Sequence, residues 1–320
     1  MADVFLRPRR ADDDAFLGAL HQLQEADSAP MGLELKGEKA GEEWVALKGG
    51  EGVGVGSFHP AWWTGDPSTY SLEVRVHPGH AREGIGTQLY KQLCSQLRQR
   101  GATRLLSWVR TDSPSGSGFA LRHGFVETGQ VIQECRLRVS SAQLAFAEER
   151  AKRLGQEGLK IASLAELGKL DETFLYTLSR LGDDTEAPSQ DTEESRHAFL
   201  AWQQEVLHGA GLLPQTHWVA LLEGVPVGMT YLKRLGPESA ENDFTGVAAA
   251  YRGRGIASAL KRHAILWAKS QRIVWLYTSS ERGNTTMISL NRQLGYEPGA
   301  QRKEILTALS FSLVADPSRG

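Results

Sequence analysis

The sequence predicts an α/β chain of the α+β type: two tandem copies of one domain, each a mixed, mostly antiparallel twisted sheet flanked by helices. Three observations carry this. First, landmarks recur at a nearly fixed offset. Gly84 returns as Gly255 and Gly124-Phe125 as Gly295-Tyr296, both 171 residues on; Val55-Gly56 returns as Val227-Gly228 after 172, and Trp44-Val45-Ala46-Leu47 as Trp218-Val219-Ala220-Leu221 after 174. Four landmarks in one order, with a drift that loop insertions produce, indicate a duplicated unit of about 150 residues. Second, each copy holds a glycine-rich turn that opens an amphipathic helix: Ala81-Arg82-Glu83-Gly84-Ile85-Gly86 in the first and Arg252-Gly253-Arg254-Gly255-Ile256-Ala257 in the second. Third, hairpin signals precede each turn, whereas a βαβ chain would alternate from its start.

The elements follow in order. A strand near Val4–Leu6 leads to a helix from about Ala11 to Ala26, whose first turn carries Asp12, Asp13 and Asp14, acids that suit the positive end of a helix. Strands Glu43–Lys48 and Val53–Phe58 flank the turn Gly49-Gly50-Glu51-Gly52, and a third runs Tyr70–Val76. Helix Ile85–Arg100 sets Ile85, Leu89, Leu93 and Leu97 on one buried stripe. Strand Arg104–Val109, a short helix before His123-Gly124-Phe125, and strands to about Val139 complete the copy. This gives a first domain of residues 1–140, a helical connector of 141–158, and a second domain of 159–320. The second domain reads as strand Leu159–Ala162, helix Leu164–Leu181, an acidic loop Gly182–Glu194, helix Ser195–Leu207, strands His217–Leu222, Val227–Leu235 and Asp243–Val247, helix Ile256–Lys269, strand Ile273–Thr278, helix Asn284–Leu294, and closing strands from Tyr296 to about Phe311.

Composition narrows the function. With 320 residues and a formal net charge of −2, the chain gives no electrostatic reason to expect a nucleic-acid partner. No apolar run of the roughly 18 residues that a membrane span needs is present. The start, Met1 to Arg7, lacks the apolar core of a secretory signal. Two cysteines, Cys94 and Cys135, suit a reducing cytoplasm rather than a disulfide framework. No metal-ligand spacing occurs, and His77, His80, His208 and His217 read as surface residues.

A glycine turn at a helix start presents unpaired N–H groups at the positive helix end, a site for phosphate or pyrophosphate. A P-loop reading fails because Ala257-Ser258 stands where Lys-Ser/Thr is required. A dinucleotide-fold reading fails because the third glycine is missing and the turn follows an antiparallel meander. Arg252–Ala257 instead matches R/Q-x-x-G-x-G/A. Together with Asn284, Met287, Leu290 and Gly295-Tyr296, which follow the pattern N-x-x-A-x-x-L-Y-x-x-x-G-F, the chain resembles the GNAT acyltransferase superfamily in tandem arrangement.

The resemblance implies an acetyl-CoA-dependent N-acetyltransferase that passes the acyl group directly to an amine of a small-molecule acceptor, needs no metal, and uses the second copy for catalysis. A non-catalytic acyl-CoA-binding or regulatory protein, and a protein N-acetyltransferase, are the alternatives. It implies cofactor contacts at Val247, Arg252, Gly253, Arg254, Gly255, Ile256, Ala257, Ser258 and Asn284. In the first copy the matching positions are Val76, Arg82, Gly84, Ile85, Gly86 and Thr87. That copy is degraded: Ala81 replaces the leading Arg/Gln, Glu83 puts a carboxylate at the phosphate turn, and Ser113 and Ala120 stand at the second signature. The family's acid, a tyrosine, is Asn291 here; Asn291 as a partner of the sulfur, an unprotonated leaving thiolate, and Tyr277 or Tyr251 as replacements stay open. Asp243, four residues before Val247, is the candidate base, ahead of Glu241; Glu73 is its first-copy counterpart. Trp202, Trp218 and His217 are candidates for an acceptor pocket or for core. The chain is expected to be a monomer or a homodimer.

Overall fold

The computed structural model describes residues 3–25, 42–181, 193–209 and 211–309. Of these, 3–20, 42–130 and 303–309 form one compact unit, and the rest a second. Residues 182–192, most of the expected acidic loop, lie outside the described residues, as does the chain beyond 309.

In the first unit, β1 (Val4–Pro8) leads through a 3-10 turn at Ala11–Asp13 into α1 (Asp14–Glu25). The α-helix thus starts three residues later than the acids suggest. Asp13 is drawn away from the helix end to accept two bonds from Arg7, at 2.7 and 2.8 Å, and one from the amide of Arg10 at 2.7 Å. Next come β2 (Glu42–Lys48), β3 (Glu51–Pro60) and β4 (Thr69–Val76), an antiparallel meander with β1. The β2–β3 turn uses Gly49 and Gly50 at φ 62° and 89°, a backbone that side chains disfavour. Then α2 (Ile85–Gln99), β5 (Arg104–Arg110), α3 (Pro114–Arg122) and β6 (Val126–Arg138) follow. Leu89, Leu93 and Leu97 are fully buried, as the stripe requires.

The strand that closes this unit comes from the far end of the chain. Residues 303–308 lie beside β5, the amide of Leu309 donates to the Thr103 carbonyl at 2.7 Å, and Ile305 and Leu309 pack with Phe58, Leu97 and Leu105. Thr128 donates to the Glu304 carboxylate at 2.8 Å.

The second unit begins within β6. Its elements are α4 (Ala145–Gln156), β7 (Leu159–Ser163), α5 (Leu164–Leu167), α6 (Glu172–Ser179), α7 (Glu193–Trp202), β8 (His217–Leu222), β9 (Val225–Arg234), β10 (Ser239–Val247), α8 (Ile256–Ser270), β11 (Trp275–Glu281), α9 (Thr285–Gln293) and the start of β12 (Glu297–Ala308), whose residues 303–308 belong to the first unit. Strands β7 to β10 form an antiparallel meander, β10 and β11 are parallel, and residues 132–138 of β6 pair antiparallel with β11. The sequence reading left those residues in the first copy. Strand pairing follows register and the face that must be buried, not chain proximity: Leu137 is fully buried with Leu276, Ala264 and Leu294. The helix expected over Leu164–Leu181 is two helices. Gly168, at φ 72°, ends the first, and Asp171 restarts the second by accepting the Phe174 amide at 2.7 Å.

In the first unit, Asp66 anchors the start of the β4–β5 pair. It accepts from Thr69 Oγ1 (2.6 Å), the Ser68 amide (3.0 Å) and Arg104 Nη2 (2.5 Å), bonds that hold its carboxyl well below the usual carboxylate range. Asp66→Asn is expected to cost roughly 1–3 kcal/mol at neutral pH. Because the folded pKa is depressed, that stability is present above the unfolded value near 3.9 and fades as pH falls below it. Urea midpoints of the two proteins should therefore converge in acid.

Candidate active site

The site grows from one strand pair in the second unit. Parallel β10 and β11 stay in register only for Ser239–Glu241 against Trp275–Tyr277. A last tie, Thr278 Oγ1 donating to the Asn242 carbonyl at 2.9 Å, precedes a bulge between Asn242 and Phe244. Buried Asn242 fixes that bulge. Its Nδ2 donates to Thr230 Oγ1 (2.8 Å) and the Tyr231 carbonyl (3.0 Å), and its Oδ1 accepts from Lys261 Nζ (2.6 Å). Beyond the bulge, Phe244–Val247 stays paired with β9 and, among the described residues, with no strand on its other edge. One main-chain edge is therefore open to a ligand strand.

At the end of β10 stands the glycine turn. Gly253 and Gly255 take φ 77° and 95°, and Gly255 is the N-cap of α8. A side chain at Gly253 would meet nothing within 4 Å, so its space is open, whereas one at Gly255 would meet the Arg150 stem at 3.1 Å. Arg252 Nε donates to the Val247 carbonyl at 3.0 Å, closing the strand end. Arg254 lies over the Tyr251 ring at 5.1 Å. Ile256 is buried, Ala257 packs at the edge of the core, and Ser258 donates to the Gly255 carbonyl at 2.7 Å. Asn284 caps α9 by accepting the Met287 amide at 3.0 Å. Two cations the sequence reading did not assign to the site arrive from α4: Arg150, against Gly255, and Arg153, whose Nη2 donates to the Arg254 carbonyl at 3.0 Å.

The two sides of the parted strands differ chemically. On one lie Glu241 and Asp243, close to each other and to Tyr231. Asp243 is exposed and is hydrogen-bonded by Tyr231. Glu241 is half-buried; burial first, and the charge of Asp243 second, push its pKa up to about 8. The Tyr231 ring stacks between His217 (5.0 Å) and Phe244 (5.7 Å). His217 is therefore not a surface residue: it is 1 % exposed, its ring nitrogens facing the carbonyls of Leu213 (2.9 Å) and Val206 (2.7 Å), and burial lowers its pKa. Trp202 and Trp218 are buried, Trp218 edge-on to Trp267.

On the helix side, Asn291 is 1 % exposed; its Nδ2 donates to Ser280 at 3.3 Å while its Oδ1 has no partner. Lys261, also 1 % exposed, lies over the Tyr296 ring at 5.4 Å. The sequence carried one signal for it: a lysine in register with the core positions Ala257, Ala264, Ile265 and Ala268 of α8.

The first unit repeats the frame with different side chains. β4 and β5 pair only over Thr69–Ser71 and Arg104–Leu106. Gly84 caps α2 at φ 83°, and Arg82 takes φ 68° where the second copy has Gly253. Glu83 turns to Lys48 (2.8 Å) and His80 (3.4 Å), and Glu73 pairs with Arg75 (3.1 Å). Ile85 is buried and Thr87 half-buried in the first turn of α2. A side chain at Gly86 would meet the Phe119 ring at 3.3 Å and Val76 at 3.5 Å. Phe119, Tyr90 and His123 pack together, with His123 4.5 and 4.2 Å from the other two rings. Tyr90 and Ala120 occupy the positions of Lys261 and Asn291.

The domain description "Acetyltransferase (GNAT) family" matches residues 11–125 and again 177–296. The chain belongs to the GNAT acetyltransferase family. It carries the family domain twice, as a tandem N-acetyltransferase, and the family uses acetyl-CoA. A mycothiol acetyltransferase of Saccharomonospora viridis is 25 % identical over 285 residues, 82 % of this chain and 83 % of the relative. One of Kocuria rhizophila is 24 % identical over 279 residues, covering 83 % and 84 %. Among solved structures, a tandem GNAT protein from the clavulanic acid biosynthesis pathway aligns with TM-score 0.63 at 19 % identity, over 97 % of this chain and 100 % of that one. A GCN5-related N-acetyltransferase from Sphaerobacter thermophilus aligns at 0.65 and 16 % identity, over 96 % of each. These two share the tandem fold.

Glu241 gives this site a measurable signature. Its carboxyl keeps its proton up to about 8 in the folded chain but only to about 4.3 when unfolded. The raised folded pKa stabilises the chain fully in acid, and that contribution is lost as pH rises through the folded value. Urea midpoints should fall between about pH 4.5 and 8, and Glu241→Gln should flatten that decline.

Proposed function

We propose that the second copy transfers an acetyl group from acetyl-CoA directly to the amine of a small molecule. The observation that carries this is the open main-chain edge of Phe244–Val247, which leads straight to the positive-φ glycine turn at the N-terminus of α8. The residues fit acyl-CoA: helix amides and Arg252, Arg254, Arg150 and Arg153 for its phosphates, a free strand edge for its amide-bearing arm, and the unpartnered Asn291 Oδ1 as acceptor. Acetyl-CoA supplies the activated acyl group, and an amide of the strand edge would stabilise charge on the acyl oxygen. The mycothiol acetyltransferase relatives support a small-molecule acceptor. The first copy, where Tyr90, Phe119 and Ala120 stand at the positions of Lys261, Leu290 and Asn291, has no donor-binding role in this reading.

The base is assigned within the Glu241–Asp243 pair. An amine acceptor is mostly protonated at neutral pH, and a carboxylate held near 8 is matched to take its proton. Glu241 has this role, and Asp243 raises it by like-charge repulsion. Free-thiol release from acetyl-CoA against a panel of small amines, with Gly255→Glu as the blocked control, tests the activity. Glu241→Gln should lower kcat/KM by roughly 10²–10⁴ and remove the acid limb of the pH profile. Asp243→Asn should shift that limb to lower pH with less than about tenfold loss, because only a neighbouring charge is removed. The reverse pattern would make Asp243 the base. A chain that binds acetyl-CoA but releases no thiol with any amine would instead be a binding protein.

A further inference from the structure

Acyl transfer leaves a thiolate, and the family's usual acid position holds Asn291, which has no acidic proton. On the helix side of the parted strands lies a buried lysine, Lys261. Lys261 Nζ makes one hydrogen bond, to Asn242 Oδ1 at 2.6 Å, at the residue where β10 leaves β11. An ammonium has three donors, so two N–H groups remain for another acceptor. The groups facing it are the Tyr296 ring just before β12, 5.4 Å away, and the Cys135 thiol from β6; among the described residues no carboxylate pairs with it. The Tyr296 amide in turn donates to the main-chain carbonyl of Asn291 at 3.0 Å, so Lys261 and Asn291 both contact Tyr296, and Asn291 Oδ1 is itself buried without a partner. A desolvated cation without a counter-ion and a buried acceptor without a donor are each costly unless a ligand completes them. The first copy has neither: Tyr90 and Ala120 stand there, and that crevice is aromatic.

We propose that Lys261 is the catalytic acid of the second copy, holding the departing CoA sulfur and giving it a proton. Glu241 first relays the ammonium proton of the acceptor to water; the neutral amine then attacks the acyl carbon, its N–H proton passing to Glu241 as the carbon–nitrogen bond forms, and the carbon–sulfur bond breaks as an Nζ proton passes to sulfur. Lys261 is then left neutral and Glu241 protonated, and exchange with water restores both. Burial lowers the Lys261 pKa to about 7, which lets it lose a proton at ordinary pH. This assignment rests on the acyl-CoA reading above, and the test separates the two.

The test needs no acceptor. Coenzyme A is bound to the full chain, binding is measured by calorimetry, and its thiol is titrated by thiolate ultraviolet absorbance against the protein alone. An adjacent ammonium should lower the thiol pKa, raising the thiolate fraction at neutral pH by roughly tenfold over free CoA. Lys261→Met should bind CoA within threefold of the wild type on the calorimetric scale yet return the thiol to its free titration, about tenfold less thiolate. Should the methionine variant fail to fold, Lys261→Gln, which keeps a donor to Asn242, gives the same readout. CoA that binds the wild type with an unshifted thiol overturns the role of Lys261 and leaves the binding site standing. A wild type that does not bind CoA overturns the acyl-CoA reading, and the acid with it.

Discussion

The structure of the second unit depends on where β10 and β11 stop being neighbours. Parallel strands normally continue their ladder until one of them ends. Here the ladder ends early, at Glu241 and Tyr277, and the Thr278–Asn242 bond is its last rung. Asn242 then spends its side chain on holding the bulge, with Thr230, the Tyr231 carbonyl and Lys261 around it. Every candidate group takes its place from that parting: the free edge beyond it, the carboxylates on one side, and Lys261 and Asn291 on the other. A buried amide with such a full set of partners is a rigid fixture, because breaking any one bond leaves another buried group unsatisfied.

The comparison of the two copies explains how one fold carries a polar crevice and an apolar one. The frames match: a short parallel pair, a strand that runs on beside its antiparallel neighbour only, and a left-handed glycine capping the next helix. The differences are side chains at equivalent positions. Tyr90 for Lys261, Ala120 for Asn291 and Phe119 for Leu290 replace buried groups with unmet hydrogen-bonding capacity by a half-buried aromatic cluster. Glu83, neutralised by Lys48 and His80, adds a carboxylate beside the helix amides.

Much of this was legible in the sequence. The offset repeat gave the tandem arrangement, and the turn at Arg252–Ala257 with the Asn284–Tyr296 signature gave the family, because glycine positions and helix periods are local properties. What escaped depends on long-range pairing. No local pattern assigns residues 132–138 to β11, or 303–308 to β5, since alternation specifies a face but not a partner strand. The same holds at the site. Asp243 was placed by its distance from Val247 along the chain, but the bulge leaves it exposed while Glu241 is drawn into lower dielectric. His217 looked polar enough for the surface, yet two carbonyls from separate turns enclose it. Arg150 and Arg153 belong to a connector whose sequence names no target.

The central claim is that the parted strands of the second copy, and not those of the first, hold the acyl donor. Calorimetric titration of the full chain with acetyl-CoA tests it most directly, because the stoichiometry and its response to a blocked turn report which copy is occupied. The account predicts one site per chain, abolished by Gly255→Glu and untouched by Gly84→Glu. Two sites per chain, or one site lost with Gly84→Glu and kept with Gly255→Glu, would contradict it.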